Sequence, residues 1–176
     1  LSVGSKSQSL TSTPRVATRG IKRGVQAPKA IDLYSSDIEI GGQGGNYFDD
    51  GEALSPQAKL RAITLSGGLR LDAIYAEYDG GLILNHGGAG GSQHSLVLAQ
   101  DEYIRQMIVS IGRHKKMVSV HFLRLETSTG RILEAGVPSA RTIEFRARPG
   151  FHIVAFRGRS GKEVDKIGPI YTPDFA

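Results

Sequence analysis

Apolar and polar residues alternate in short stretches along most of the chain, with the two-residue period of half-buried β-strands. Residues 60–65 show this alternation. The same reasoning predicts strands over residues 69–78, 118–125, 142–146, 151–156 and 167–171. Turn residues follow several of them, as in Asp79-Gly80-Gly81, Ser128-Thr129-Gly130 and Arg148-Pro149-Gly150. The pattern predicts an all-β domain built from hairpins.

The segment over residues 103–111 has a different spacing. Its apolar residues recur at the intervals of a helix, and Asp101-Glu102 before it would suit a first helical turn. Taken alone, the segment fits a helix and a strand equally well. Because a single short helix among β-hairpins would have to find its own place on the core, we predict a strand over residues 104–111.

Composition limits the class of protein. The chain has 176 residues, of which 39% are hydrophobic, and this fits one globular domain. Cysteine is absent, which excludes disulfides, thiolate metal sites and a cysteine nucleophile but leaves the compartment open. No apolar run has the roughly 18 to 20 residues of a membrane-spanning helix, so we expect no membrane insertion. Glycine is abundant, with 23 residues where average usage would give roughly 12, and indicates many tight turns.

The positive charge is confined to the start of the chain. Residues 1–30 hold six Lys and Arg residues and no acidic one, so the rest has 22 minus 6, or 16, basic residues against 17 acidic ones. We interpret residues 1–30 as a basic flexible arm or linker and residues 31–176 as the folded domain. The arm is either a linker or leader of a larger protein or a tether for an anionic surface. The nearly neutral domain predicts no specific nucleic-acid partner.

Three glycine-rich segments, residues 41–45, 87–91 and 158–162, invite a catalytic interpretation that their chemistry does not support. We name the first two the first glycine loop and the second glycine loop. None of the three has the Lys-Ser/Thr ending and strand-loop-helix context of a phosphate loop. No Gly-x-Ser-x-Gly sequence supplies a hydrolase nucleophile. The sequence therefore predicts no enzyme.

Histidines and carboxylates offer no evident metal or acid–base site. The five histidines, at positions 86, 94, 114, 121 and 152, lack the short pairings of metal ligands and are expected in surface or structural roles. Asp49 and Asp50 are adjacent, so on an extended chain their side chains point to opposite faces and a turn or cap role is favoured. We predict neither a metal nor a cofactor.

A carboxylate beside a glycine turn provides another chemistry near the C-terminus. Residues 161–165, which we name the last loop, combine successive backbone N–H groups with the carboxylate of Asp165. Sugar hydroxyls both donate and accept hydrogen bonds, so a sugar site needs a carboxylate acceptor flanked by fixed donors. Gly-x-x-x-Asp also occurs in ordinary turns, where Asp165 would act as a turn cap.

Two stretches at opposite ends of the domain carry a family resemblance. Residues 44–51 read Gly-Gly-Asn-Tyr-Phe-Asp-Asp-Gly, and residues 156–171 read Phe-Arg-Gly-Arg-Ser-Gly-Lys-Glu-Val-Asp-Lys-Ile-Gly-Pro-Ile-Tyr. Together they resemble the jacalin-related lectins, and the second stretch is especially similar to the animal zymogen-granule members. The resemblance implies an all-β fold, a β-prism of three antiparallel four-stranded sheets. It also implies a non-catalytic carbohydrate-binding module, which we expect to be secreted or extracellular.

The resemblance further implies which residues meet the sugar. Gly45 matches a glycine whose main-chain nitrogen meets the ring hydroxyls, Lys162 and Glu163 match positions that offer backbone N–H groups, and Asp165 matches the carboxylate acceptor. The implied carbohydrate-binding residues are Gly45, Gly161, Lys162, Glu163, Val164 and Asp165. The implied recognition loop, which would adjust specificity, consists of His86, Gly87, Gly88, Ala89, Gly90, Gly91 and Ser92.

Departures from the family pattern shape the expected ligand. Lys162 and Glu163 replace the aromatic residues common in plant members, so stacking is lost and affinity for a simple monosaccharide should be low. The positive charge of Lys162 suits acidic polysaccharides, which are therefore a further expected ligand class. Gly45 lies inside a continuous chain, whereas galactose-preferring members are cleaved to free its amine. The implied ligands are therefore glycans of mannose or glucose type.

Two other functions stay open on the sequence alone. The domain could be a structural or targeting part of a larger protein, such as a toxin, that does not bind sugar. It could also bind polyanions through the basic arm. The expected partners are glycans, together with a second copy in a homo-oligomer or the rest of a larger parent protein.

Overall fold

The computed structural model describes residues 38–175 as twelve β-strands and one short 3₁₀ helix, Asp50–Ala53. The strands are β1 (Ile40–Gly41), β2 (Asn46–Asp49), β3 (Leu60–Gly67), β4 (Leu71–Tyr78), β5 (Ile83–Gly87), β6 (Ser92–Val97), β7 (Ile104–His114), β8 (Met117–Thr127), β9 (Ile132–Gly136), β10 (Arg141–Arg146), β11 (Phe151–Ser160) and β12 (Val164–Pro173). The predicted arm, residues 1–30, lies outside the described residues. In the described part of the chain, no helix has the length and apolar character needed to cross a membrane.

The strands form three antiparallel sheets of four strands each. One sheet has the order β5-β4-β3-β6, the second has the order β10-β7-β8-β9, and the third has the order β1-β12-β11-β2. The second and third sheets join where Ile153 of β11 pairs with Ile104 of β7. Three four-stranded sheets arranged in this way are a β-prism, so the predicted fold class is confirmed.

All three sheets contribute to one core. Its side chains without measurable exposure include Ile63, Leu65 and Leu71 from one sheet, Met107, Leu123 and Leu125 from the second, and Ile153, Phe156 and Ile167 from the third. Burying each aliphatic or aromatic side chain of this kind contributes about 1.5–3 kcal/mol. The core therefore holds the sheets together, and the loops at the ends of the prism are available for binding.

The segment with helical spacing is strand β7, as predicted. Its register shifts twice, between Ile104 and Gln106 and between Ser110 and Ile111. The first shift inserts Arg105 into β7, so the core-facing Ile104 and Met107 are three residues apart, whereas the second shift inserts His121 into β8. The bulge in β7 thus produced an apolar spacing that looks helical.

Strands β5, β6 and β9 are absent from the predicted elements because they are short and because β5 and β6 show little apolar alternation. Leu96 is the one buried residue of β6, and Ile83 at the start of β5 is 59% exposed. All three strands lie at sheet edges. Edge strands with one weakly buried face carry little of the signal on which sequence-based prediction depends.

Candidate functional site

Asp165 lies at a β-bulge at the start of β12. In the β11–β12 ladder, Arg159 pairs with Lys166 and Ser160 pairs with Val164, so Asp165 is the extra residue between these two pairs. A bulge of this kind redirects the side chain of the inserted residue. The Asp165 residue is 4% exposed, and its carboxylate lies against the first glycine loop.

The first glycine loop approaches the carboxylate so closely that side chains are excluded. A Cβ atom on Gly44 would lie 2.5 Å from Asp165 Oδ1, and one on Gly45 would lie 2.8 Å from Asp165 Oδ2. Gly45 also has a φ of +62°, a conformation that favours glycine. The backbone N–H of Gly42 donates to the Asp165 carbonyl at 2.8 Å. The backbone of the loop is therefore fastened directly against the carboxylate, and this contact leaves no room for a side chain.

Arg159 holds the first glycine loop from the other side. Its Nε donates to the Gly44 carbonyl at 3.0 Å, and its Nη2 donates to the Gly45 carbonyl at 2.7 Å. Sequence analysis did not single out this residue. A long basic side chain two positions before the last loop was its only signal in the sequence, and that signal does not reveal a partner more than a hundred residues away.

The Asp165 carboxylate has acceptor capacity to spare. Among residues 38–175, no N–H or O–H group donates a hydrogen bond to it, although it is nearly buried. Burial raises its pKa above the ordinary value, the Glu163 charge raises it further, and Arg159 and Arg70 oppose the shift. No described donor gives Asp165 the turn-cap role that was left open. A carboxylate without donors from the described residues can accept hydrogen bonds from the hydroxyl groups of a ligand.

The last loop turns tightly around its own backbone. Gly161 donates its N–H to the carbonyl of Glu163 at 2.9 Å. Lys162 is exposed, as expected for a side chain that points outward. The Glu163 carboxylate forms an ion pair with Arg70 from the β3–β4 turn. Val164 has no measurable exposure, so the structure places this predicted binding residue in the core and not on the binding surface.

The second glycine loop, between β5 and β6, contacts the last loop. A Cβ atom on Gly88 would collide with the Lys162 carbonyl, so the two backbones touch at this point. Gly88 also donates its N–H to the Asp72 carbonyl at 2.9 Å. Ala89, Gly90 and Gly91 are exposed. The predicted carbohydrate-binding residues and this part of the predicted recognition loop therefore lie at the same end of the prism.

His86, the first residue of the predicted recognition loop, is engaged elsewhere. Its Nε2 lies 2.6 Å from Asp50 Oδ1, and its ring stacks on Phe48 with the centroids 3.6 Å apart. Asp49 accepts a hydrogen bond from the N–H of Gly51 at 2.9 Å and caps the 3₁₀ helix, which confirms the predicted cap role. His86 thus anchors the strand before the loop.

The β7–β8 hairpin also reaches the first glycine loop, which sequence analysis did not anticipate. Met117 is 52% exposed, and its Cε lies 3.2 Å from the position that a Cβ of Gly44 would take. The carbonyl of Val118 packs against Gly42. Met117 thereby adds an apolar surface beside the Asp165 carboxylate, at the part of the molecule where Lys162 and Glu163 provide no aromatic ring.

Metal ligation has no structural basis in the described region. Within residues 38–175, no three His, Asp or Glu side chains come together in a group that could hold a metal ion. The arrangement around Asp165 is one carboxylate, glycine backbone and a thioether, a set suited to a neutral polar ligand with some apolar surface.

Comparison with known proteins finds relatives of one kind. The family model for the Jacalin-like lectin domain matches residues 39–170. Horcolin from Hordeum vulgare is 27% identical over 145 residues, which cover 79% of this chain and 99% of horcolin. Jacalin-related lectin 9 from Arabidopsis thaliana is 28% identical over 144 residues, which cover 76% of this chain and 45% of that protein.

Solved structures share the architecture. Wild-type Malaysian banana lectin is similar with a TM-score of 0.69 and 24% identity, covering 77% of this chain and 96% of that chain. AcmJRL, a mannose-binding jacalin-related lectin from Ananas comosus, is similar with a TM-score of 0.66 and 21% identity, covering 77% of this chain and 97% of that chain. At such identities the likeness establishes the fold.

Proposed function

The chain belongs to the jacalin-like lectin domain family, and on that premise we propose that it binds glycans of mannose or glucose type between the first glycine loop and the last loop. Lectins of this family bind carbohydrate without converting it, so the protein is not an enzyme. In this proposal Asp165 is the principal acceptor, and the backbone N–H groups of Gly45, Lys162 and Glu163 are the donors.

The unpartnered carboxylate of Asp165 is the observation that carries the proposal. This carboxylate accepts no hydrogen bond from the described residues, and two sugar hydroxyls would be suitable donors for it. Gly44 and Gly45 let the backbone of the first glycine loop approach this carboxylate closely, because neither has a side chain. A neutral sugar fits this site better than an anion does, since its principal acceptor, the Asp165 carboxylate, is itself negatively charged.

Mannose or glucose preference rests on two supports. Gly45 lies within a continuous chain, which the family resemblance links to ligands of this type rather than to galactose. AcmJRL and the mannose-binding lectin from Champedak have the same fold as this chain. Met117 supplies the apolar contact that the C–H face of a hexose requires, in place of an aromatic ring.

Glycan-array binding of the full chain tests the proposal. We expect mannose- or glucose-terminated glycans to be retained, and Asp165→Ala to abolish the signal while the thermal unfolding midpoint stays unchanged. Asp101→Asn is the matched control, because Asp101 is an exposed carboxylate on the loop before β7. An array without signal would favour the alternative of a structural or targeting domain. Binding confined to sulfated or uronic-acid polymers, unaffected by Asp165→Ala, would favour the polyanion alternative.

A further inference from the structure

The β7–β8 hairpin ends in four adjacent basic residues, Arg113, His114, Lys115 and Lys116, which we name the basic tip. All four are exposed, and Lys115 and Lys116 form the two-residue turn between the strands. Like charges held so close together repel one another. An anionic partner that faces the basic tip would relieve this repulsion.

The basic tip is not neutralised by neighbouring carboxylates. Among residues 38–175, no carboxylate forms an ion pair with Arg113, Lys115 or Lys116, nor with the exposed Lys162 of the last loop. Other arginines of this region do form ion pairs with carboxylates, namely Arg61, Arg70, Arg105, Arg131, Arg146 and Arg157. The positive charge of the basic tip is therefore available to a binding partner.

Lys115 has a backbone conformation that favours glycine. Its φ is +55°, and in the described part of the chain it is the one non-glycine residue with a positive φ. A lysine in this conformation is strained in a way that a glycine would not be. Strained backbone of this kind occurs preferentially at functional sites. The strain is thus a second indication, separate from the charge, that the Lys115 side chain has a function.

Two exposed apolar side chains lie beside the basic tip. Leu69, in the turn between β3 and β4, is 84% exposed and lines the same cavity as His114. Met117 is 52% exposed and pairs with His114 across the hairpin. A soluble polyanion requires only the positive charge, whereas the interfacial region of an anionic bilayer favours both positive charge and apolar side chains. The combination therefore fits a bilayer surface.

The carboxylates at this end of the prism are engaged or buried. Asp72 and Glu163 form ion pairs with Arg70, and Asp165 is 4% exposed. Lys162 adds an exposed cation on the last loop. The projecting turns therefore present mainly positive charge, which is complementary to the negative surface of a bilayer that contains acidic lipids.

We propose that this end of the prism binds the surface of a bilayer that contains anionic phospholipids. The basic tip and Lys162 contact the headgroups, and Leu69 and Met117 contact the interfacial region. These contacts are made by side chains at the surface and involve no spanning segment. The proposal is independent of sugar binding, because phospholipids such as phosphatidylserine carry no sugar.

Cosedimentation of the full chain with phospholipid vesicles tests the proposal. At about 0.15 M salt we expect binding to vesicles of phosphatidylcholine and phosphatidylserine in a ratio of about three to one, and none to phosphatidylcholine alone. Lys115→Glu/Lys116→Glu should weaken binding about thirtyfold or more, because each basic residue near the surface contributes to adhesion. Arg141→Glu/Arg146→Glu, at exposed positions on β10, changes the net charge equally and should weaken binding much less.

Leu69→Ser distinguishes a bilayer from a soluble polyanion. Loss of the apolar side chain should weaken vesicle binding about tenfold and leave binding to heparin unchanged. Ile83→Ser is the control, because Ile83 is 59% exposed at the start of β5, whereas the second glycine loop follows the end of that strand. If Leu69→Ser binds vesicles as well as the wild type does, the basic tip is a general polyanion site and the proposal is overturned.

Lys115→Gly separates binding from stability. Because glycine suits the positive φ at this position, the variant should bind vesicles about fivefold more weakly while its thermal unfolding midpoint stays the same or rises. Unchanged vesicle binding would show that Lys115 has no role at the bilayer. Equal losses in the basic-tip and β10 double variants would assign the binding to net charge. Either result, or a wild type that does not bind anionic vesicles, would overturn the proposal.

Discussion

Arg70 and Glu163 form an ion pair that joins the β3–β4 turn to the last loop. Each residue stands two positions after a glycine and two positions before an aspartate, in the repeated Gly-x-x-x-Asp sequences of residues 68–72 and 161–165. The pair thus links equivalent positions of two sheets. Because Glu163 raises the pKa of Asp165 and Arg70 lowers it, this ion pair also adjusts the charge of the proposed acceptor.

We predict that Glu163→Gln extends sugar binding to lower pH. Burial and then the Glu163 charge raise the pKa of Asp165, so acidification should protonate the acceptor earlier than an ordinary aspartate. Removing the Glu163 charge lowers that pKa, and the carboxylate then stays ionised to lower pH. Calorimetric titrations with methyl α-D-mannopyranoside between pH 7 and 4 measure the pH at which half of the binding affinity is lost. Glu77→Gln, at an exposed position on β4, is the control, and equal midpoints in both variants would contradict the prediction.

Asp165→Asn should abolish hexose binding at the proposed site without destabilising the fold. Each charge-assisted hydrogen bond contributes roughly 1.5–3 kcal/mol, so losing one weakens binding about tenfold or more. The raised pKa of Asp165 means that the folded state disfavours its charged form, and a neutral side chain of the same shape relieves that cost. If Asp165 were a turn cap, the substitution would instead lower the free energy of unfolding by about 1 kcal/mol. Urea unfolding alongside calorimetry separates the two roles, and a destabilised variant that still binds sugar would refute ours.

Met117→Ala should weaken binding of a neutral hexose about fivefold, because it removes the apolar group beside Gly44. Met117→Leu, which keeps an apolar side chain of similar volume, should bind nearly as well as the wild type. The exposure of Met117 means that neither change should alter the unfolding midpoint. Equal affinities for the Ala and Leu variants would show that the hairpin does not touch the sugar.

The all-β fold could be predicted from the sequence because apolar and polar residues alternate in most central strands. The edge strands β5, β6 and β9 could not be predicted in this way. Strand β7 was harder to predict, since the bulge at Arg105 disturbs its two-residue period. Only the family resemblance identified the prism. The architecture depends on how sheets pack together, which the pattern within one strand does not encode.

The candidate site was predictable where its residues are close in sequence. The last loop has glycine and carboxylate four positions apart, and the resemblance linked it to Gly45. Arg159 and Met117 were not found, because each contacts the first glycine loop across more than sixty residues of chain.

Stability should fall on mild acidification because of His152, at the end of the prism remote from the glycine loops. His152 is 2% exposed and its Nδ1 lies 3.0 Å from Asp174 Oδ1. Burial lowers its pKa below the ordinary value of 6.5, and the hydrogen bond and charge of Asp174 oppose that shift only in part. The folded state therefore binds this proton less readily than the unfolded chain does. Stability is complete above about pH 6.5 and declines as the pH falls toward the lower pKa of the folded state.

The decline should have a slope of at most about 1.4 kcal/mol per pH unit, the limit for one proton. Urea unfolding of the full chain at pH 7.5, 6.5 and 5.5 measures it. His152→Gln should flatten the pH dependence in this window even if it lowers stability at every pH, since glutamine does not titrate. His94→Gln is the control, because His94 is exposed on β6 and should leave the slope as it is. If the slope persists in His152→Gln, the pH dependence belongs to another group. His152 would then have only a packing role against Tyr103, whose ring centroid lies 4.3 Å from that of His152.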